Sequence, residues 1–254
     1  MSTFTPRPGA APLPSMVRAQ ASMETRLLLR NGEQLLLALV IPLIALVAGV
    51  TAAEALELDL GHPAVDVLAP GVVALAVMST AFTSLAISTG FERRYGLIKR
   101  LGASPLPRSG LLLGKVGALL LVELGQVVVI GGLALALGWR PEPAGLPGVV
   151  AAILAGTFAF ASLGLLMAGT LRAEATLAAA NLVYLLLLAG GAVVLPASSY
   201  GAFGDLVRWL PSGALGEALR RATLEGAFPL GELLVLLAWG AVGTVLTART
   251  FRWE

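Results

Sequence analysis

The chain has 254 residues, of which 57% are hydrophobic and 13% are charged. Soluble domains carry about 25% charged residues, so this composition excludes an ordinary soluble protein and indicates several membrane-crossing helices. The net charge of +2 and the absence of cysteine argue against nucleic-acid binding and exclude disulfides and thiolate metal sites.

The N-terminal part precedes the first apolar segment. Residues 1–14 are rich in proline, serine, threonine and alanine and lack the apolar core of a secretion signal, so we predict a disordered cytoplasmic tail. Residues 15–34 mix apolar side chains such as Leu27 with charged ones such as Arg18 and Glu24. This mixture is typical of an amphipathic helix at the inner membrane interface, with a basic juxtamembrane anchor as the alternative.

Residues 35–254 contain six apolar segments, and a helix needs about 20 such residues to cross the hydrocarbon core of a bilayer. The segments are 35–53, 68–90, 109–137, 146–170, 175–195 and 230–248. The predicted fold class is therefore an all-α integral membrane protein with six transmembrane helices.

The distribution of charge predicts the orientation. With the N-terminus inside, the cytoplasmic side holds 13 of the 17 lysines and arginines, leaving only Arg140, Arg208, Arg220 and Arg221 outside. Cytoplasmic loops are enriched in these residues, so both termini are predicted to be inside. Residues 196–229 then lie outside, and their apolar content and prolines predict short re-entrant helices before the last span.

The densest run of charge lies between the second and third segments. Here Phe91, Tyr95, Ile98 and Leu101 recur at spacings of four, three and three residues, which predicts one apolar face of a helix. We expect a short amphipathic helix over residues 91–104 on the cytoplasmic side. It could dock onto a protein partner or hold anionic lipid headgroups.

Glu123 is the one acidic residue deep inside an apolar segment, and Gln126 follows one turn later. An ionisable group in hydrocarbon is costly and indicates a functional site by default. Glu123 could be protonated, bind a cationic substrate or pair with an arginine such as Arg220. An interhelical hydrogen bond without a transport role is the structural alternative.

Residues 110–116 do not form a phosphate-binding loop, because the spacing is wrong and Val116 rather than a hydroxyl residue follows Lys115. The glycines at 110 and 114 favour a small-residue packing face at the start of the third span. No catalytic residue and no metal ligand set is predicted for this chain.

Three stretches carry a resemblance to a known family. The run Glu92–Arg108, which includes Glu-Arg-Arg and Lys-Arg-Leu-Gly-Ala-Ser-Pro-Leu-Pro-Arg, resembles the loop after the second span in type-2 ATP-binding-cassette (ABC) permeases of the daunorubicin-resistance and multidrug-export group. Gly169-Thr-Leu-Arg-Ala-Glu-Ala-Thr-Leu, continuing to Pro196, and Leu210-Pro211 with Glu217-Ala-Leu-Arg also match.

The resemblance implies a permease subunit in the bacterial inner membrane that exports drugs, lipids or other amphiphiles and so confers multidrug efflux and antibiotic resistance. It also implies partners: a second permease copy, identical or different, and separate cytoplasmic ATPase subunits that bind ATP and magnesium. The permease itself would bind no cofactor. Residues 91–104 would be the coupling helix, with the following residues docking onto the ATPase: Glu92, Arg93, Arg94, Tyr95, Ile98, Lys99, Arg100 and Leu101.

In related exporters the second and fifth spans line the path between the two permease copies. Carried onto this chain, this places Thr80, Thr83, Ser84, Asn181 and Tyr184, together with the intramembrane Glu123, at the path or at the permease–permease interface. Packing between helices is the alternative for each hydroxyl group. Two other functions stay open: an ATP-independent channel or secondary transporter with Glu123 as a proton or cation site, and a membrane scaffold without transport.

Overall fold

A computed structural model describes residues 11–30, 32–102 and 106–251 of the chain. Residues 1–10 of the predicted tail and residues 103 and 104 of the predicted coupling helix lie outside the described residues. These described residues contain eleven α-helices: α1 Leu13–Arg30, α2 Gly32–Ala55, α3 Ala64–Met78, α4 Leu85–Arg94, α5 Leu97–Gly102, α6 Arg108–Ala136, α7 Leu146–Thr170, α8 Ala173–Gly190, α9 Gly204–Val207, α10 Pro211–Glu225 and α11 Leu230–Thr250.

Six helical segments of the described chain are long and apolar enough to cross a membrane, and no strand occurs in these residues. The fold class predicted from the sequence, an all-α multi-pass membrane protein, is confirmed. The second span is continuous from Ala64 to Arg94, because a π-helical segment at Ser79–Ser84 joins α3 to α4. Three predicted boundaries differ by four or five residues: this span runs over 64–94 rather than 68–90, and the fifth ends at Gly190 rather than at residue 195.

The second span is the centre of the bundle. Of its most apolar stretch, 89% is buried within the chain, whereas the fifth span is only 17% buried. Its α3 part consists largely of valine, alanine and leucine, so every side of the helix offers an apolar contact surface. Helices α2, α6, α7 and α10 pack around it.

The N-terminal helix α1 packs along the first half of α6. At Gly114 a β-carbon would lie 2.5 Å from the Gln20 side chain, and at Gly110 it would lie 3.1 Å from Leu13. The small-residue packing face predicted at the start of the third span is therefore confirmed, and it contacts α1. Helix α1 begins at Leu13, so the predicted tail is two residues too long at its C-terminal end.

The outer segment between the fifth and sixth spans contains short helices. After a 3₁₀ turn at Ala197–Phe203 and the single turn α9, Pro211 starts α10, where its missing N–H would have no partner anyway. Helix α10 ends at Glu225, and the next residue, Gly226, has a φ of 64°, the left-handed conformation that favours glycine. It is wedged between α3, α7 and α11.

Gly71 allows α3 to approach the chain that leads into the outer segment. A β-carbon there would lie 2.4 Å from the Val194 carbonyl oxygen, whereas Gly132 of α6 has nothing within 4 Å. We expect Gly71→Ala to destabilise the fold by about 1–3 kcal/mol, because a backbone oxygen must move. Gly132→Ala should be neutral or slightly stabilising, since alanine is the better helix former. Thermal unfolding of both variants in the same detergent tests this, and equal melting temperatures would refute the close approach.

Candidate functional site

Lys115 forms a buried ion cluster at the end of the bundle that is predicted to be cytoplasmic. Only 5% of Lys115 is exposed, and its Nζ lies 2.7 Å from Glu92 Oε1 and 3.1 Å from Glu24 Oε1. Gln20 donates a further hydrogen bond of 2.8 Å to Glu24. Buried lysines are rare unless they are paired, so this cluster fixes α1 and α4 to α6.

Arg93 joins the same end of the second span to α7. Its guanidinium donates hydrogen bonds to the carbonyl oxygens of Ala168 and Leu171, at the C-terminal end of α7. These are carbonyls for which a helix provides no partner of its own. The guanidinium carbon also lies 5.6 Å from the ring centre of Phe251, a cation–π distance.

Arg94 reaches a third neighbour. It forms an ion pair with Glu174, in the first turn of α8. Both side chains are more than half exposed, so the pair contributes little to stability. Glu92, Arg93 and Arg94 thus make three consecutive connections, to the α1–α6 cluster, to α7 and to α8.

The predicted single helix over residues 91–104 is wrong. Helix α4 ends at Arg94, Gly96 adopts a left-handed φ of 68°, and the separate helix α5 begins at Leu97. The predicted apolar stripe is therefore split between two helices. Phe91 and Tyr95 stack with ring centres 6.2 Å apart on one side of the break, while the side chain of Ile98 lies outside the described ones.

Of the eight residues predicted to dock onto an ATPase, the seven whose side chains are described, all except Ile98, fall into two sets. Glu92, Arg93 and Leu101 are half-buried, and the contacts of Glu92 and Arg93 described above hold the bundle together. Tyr95, with 69% exposure, and Arg94, Lys99 and Arg100 are exposed at the surface. The geometry therefore provides a basic surface on one side and connections to the spans on the other.

Glu123 lies near the middle of α6 and is only 1% exposed. Its Oε2 accepts a hydrogen bond of 2.6 Å from the Thr157 hydroxyl of α7, and its Oε1 has no hydrogen-bond partner within the described chain. The suggested ion pair with Arg220 does not form, because the guanidinium of Arg220 is bound elsewhere. A carboxyl group with one donor in an apolar surrounding is costly to ionise.

Gln126, one turn after Glu123, connects three helices. Its Oε1 accepts a hydrogen bond of 3.0 Å from Thr80, and its Nε2 donates one of 2.9 Å to the Ala38 carbonyl oxygen of α2. Thr80 lies in the π-helical segment of the second span. Such segments are rare and frequently occur at functional sites.

The other predicted path residues do not share one surface. Thr83 and Ser84 are half-buried in the π-helical segment, and the buried Thr83 hydroxyl has no partner in the part of the chain that the structure describes. Tyr184 is 9% exposed and its hydroxyl hydrogen-bonds with Ser79. Asn181, one turn before Tyr184 on α8, is exposed.

Sequence reasoning missed the role of Arg220, which is 3% exposed in α10. Its guanidinium donates hydrogen bonds of 3.1 to 3.3 Å to four consecutive carbonyl oxygens, those of residues 192–195, and one of 3.2 Å to Glu217. Burial lowers the pKa of Arg220 and Glu217 opposes that shift, but arginine stays protonated in proteins. The fifth span can therefore end at Gly190, because Arg220 donates to these carbonyls the hydrogen bonds that a continued helix would have provided.

The chain matches a known protein family over most of its length. A family model described as ABC-2 family transporter protein matches residues 63–249, from the start of the second span to the end of the sixth. The match includes the connections at Glu92–Arg94, the π-helical segment and Arg220. A search of the curated proteins finds no match to the chain.

The Lys115 cluster predicts a specific loosening of α1. In Lys115→Met, two carboxylates stay buried without their cation, and removal of one partner of a buried pair costs about 3–5 kcal/mol. We expect faster trypsin cleavage at Arg18 and Arg26 of α1. Lys99→Met, at an exposed position of α5, is the matched control and should cleave like the unmodified chain. Unchanged cleavage of Lys115→Met would show that the cluster does not hold α1.

Proposed function

Because the chain belongs to the ABC-2 transporter family, it is the permease subunit of an ABC transporter, and we propose that it is an exporter of amphiphiles. In this proposal two permease copies pair in the cell membrane and separate ATPase subunits drive them. The substrates are drugs, lipids or similar amphiphiles, as in the daunorubicin-resistance and multidrug-export group.

The proposed coupling to ATP rests on residues 92–100, which combine an exposed surface with contacts to several helices of the bundle. The exposed Tyr95, Lys99 and Arg100 form a surface that would bind an ATPase, with an aromatic ring to bury and two positive charges to pair with acidic groups. Three and two residues before Tyr95, Glu92 binds Lys115 of α6, which also binds Glu24 of α1, and Arg93 binds the end of α7. A force on the surface would therefore move several helix ends together.

We expect the movement of the helix ends to stop at the π-helical segment. Above it, α3 is packed on all sides, and below it, α4 carries the cytoplasmic contacts. Gly164 of α7 faces its backbone, where a β-carbon would lie 2.9 Å from the Phe82 carbonyl oxygen. We assign the segment as the hinge about which α4 moves while α3 stays fixed.

The fifth span supports pairing of two permease copies. Helix α8 exposes leucines at 177, 182, 185 and 186 and the amide of Asn181. A second copy that covered this face would give Asn181 a hydrogen-bonding partner away from lipid. Thr80, Thr83, Ser84 and Tyr184 lie behind this face or beside it, and they would reach a path between the copies only after the helices separate.

The coupling proposal predicts a loss of ATPase contact. We expect Tyr95→Ala and Arg100→Glu to reduce co-purification of the ATPase subunits and ATP-stimulated transport by at least ten-fold, corresponding to about 1.4 kcal/mol or more of binding. Arg140→Glu, a charge change in the outer loop, is the control and should leave both measurements unchanged. Retention of the ATPase by both variants, with full transport, would contradict docking at this surface.

Glu123 distinguishes the proposal from an ATP-independent transporter. Glu123→Gln keeps the hydrogen bond to Thr157 but removes the titratable group, so we expect correct insertion, normal yield and transport reduced several-fold. Glu54→Gln, at an exposed position near the end of α2, is the matched control. Transport should need ATP in every variant. Transport that follows a proton gradient without ATPase subunits would favour the alternative, and equal transport by Glu123→Gln at matched expression would leave Glu123 a purely structural role.

A further inference from the structure

A groove of about 530 Å³ separates α6 from α7 and α11. Helices α7 and α11 pack closely, because Gly240 accommodates Phe158 and Gly243 accommodates Ser162, while α6 stands apart from them. The groove walls are mainly apolar. Representative residues are Leu112 and Leu120 of α6, Phe158 and Leu165 of α7, and Ala248 and Phe251 at the end of α11.

The groove extends over one leaflet of the membrane. From Leu112 to Leu120, α6 rises about 12 Å at 1.5 Å per residue, and half of the hydrocarbon core is about 15 Å thick. Leu112 lies in the first two turns of α6, and Phe251 directly follows α11, both at the predicted cytoplasmic ends. Thr157, which binds Glu123, lines the groove at its deep end. A single extended acyl chain matches this depth.

The charge of the groove helices is positive on the cytoplasmic side. In this half, α6 carries Lys115 and α11 carries the exposed Arg249, while residues 108–122, 146–170 and 233–251 contain no aspartate or glutamate. The carboxylates nearest to Lys115 belong to Glu24 and Glu92, which approach it from α1 and α4. Basic residues at this level attract anionic headgroups.

The geometry points to a binding site for one anionic phospholipid of the cytoplasmic leaflet. Its acyl chain lies in the groove between α6, α7 and α11, and its phosphate lies at the cytoplasmic mouth near Arg249. This site lies within one chain rather than between permease copies, and lipid binding to it can be measured without transport. A bound chain fills the space between α6 and the α7–α11 pair.

Native mass spectrometry of the full chain tests the site with two probes that share the same acyl chains, phosphatidylglycerol and phosphatidylcholine. We expect about five-fold stronger retention of phosphatidylglycerol, the effect of roughly one basic residue at the surface. Arg249→Gln should remove most of this preference. Equal retention of the two lipids by the unmodified chain would refute the headgroup assignment.

Matched substitutions test the groove itself. Ala248→Trp fills the groove and should abolish tight retention of both lipids, whereas Val245→Trp, on an exposed face of α11 outside the groove, should not. Leu112→Trp and Leu113→Trp form a second pair on α6, where only Leu112 lines the groove. Monodisperse elution shows which variants fold. Equal lipid retention within a folded pair would overturn the proposal.

Discussion

The structure depends on the requirement that a buried ammonium group has carboxylate partners. Lys115 is one residue in a long apolar helix, and its two partners come from α1 and α4, which are far apart in the chain. Desolvation makes the group unfavourable unless both partners stay in place. Because the ammonium group needs both carboxylates, the cluster fixes the N-terminal helix, the second span and the third span relative to one another. That arrangement joins three helices at the end of the bundle that is predicted to be cytoplasmic.

The opposite end of the bundle also contains a buried cation that needs hydrogen-bonding partners, the guanidinium of Arg220. Arg220 binds the four carbonyls of residues 192–195, which have left the helix and would otherwise lie without donors in an apolar surrounding. Between the two ends, Glu123 with Thr157 and Gln126 with Thr80 are isolated polar contacts. The bundle is thus held firmly at its ends and by few polar contacts in its middle. Such a distribution agrees with the proposed movement of α4 about the π-helical segment.

Lys115 takes part in both the proposed coupling to the ATPase and the proposed lipid site. On one side it binds the carboxylate that precedes the basic surface of residues 93–100, and on the other it lines the groove assigned to a phospholipid. The lipid and the ATPase would therefore both act on α6, the lipid from the groove and the ATPase through Glu92 of α4. A permease of the ABC-2 family built in this way would couple the composition of the inner leaflet to the movement of α4.

The sequence by itself determined the class of the protein, the six spans and the existence of a charged cytoplasmic segment, because hydrophobic length and charge distribution are properties of composition along the chain. It also predicted the packing face of Gly110 and Gly114 from residue size alone. Only the tertiary structure decided where the charges point. The three-four spacing at Phe91, Tyr95 and Leu101 predicted one helix, but Gly96 breaks it and Glu92 and Arg93 turn inward. Likewise the sequence predicted Arg220 on the outer side of the membrane, but it did not predict its partners, which are carbonyl groups more than twenty residues away in the chain. Partner choice depends on which helices become neighbours, and no local pattern contains that information.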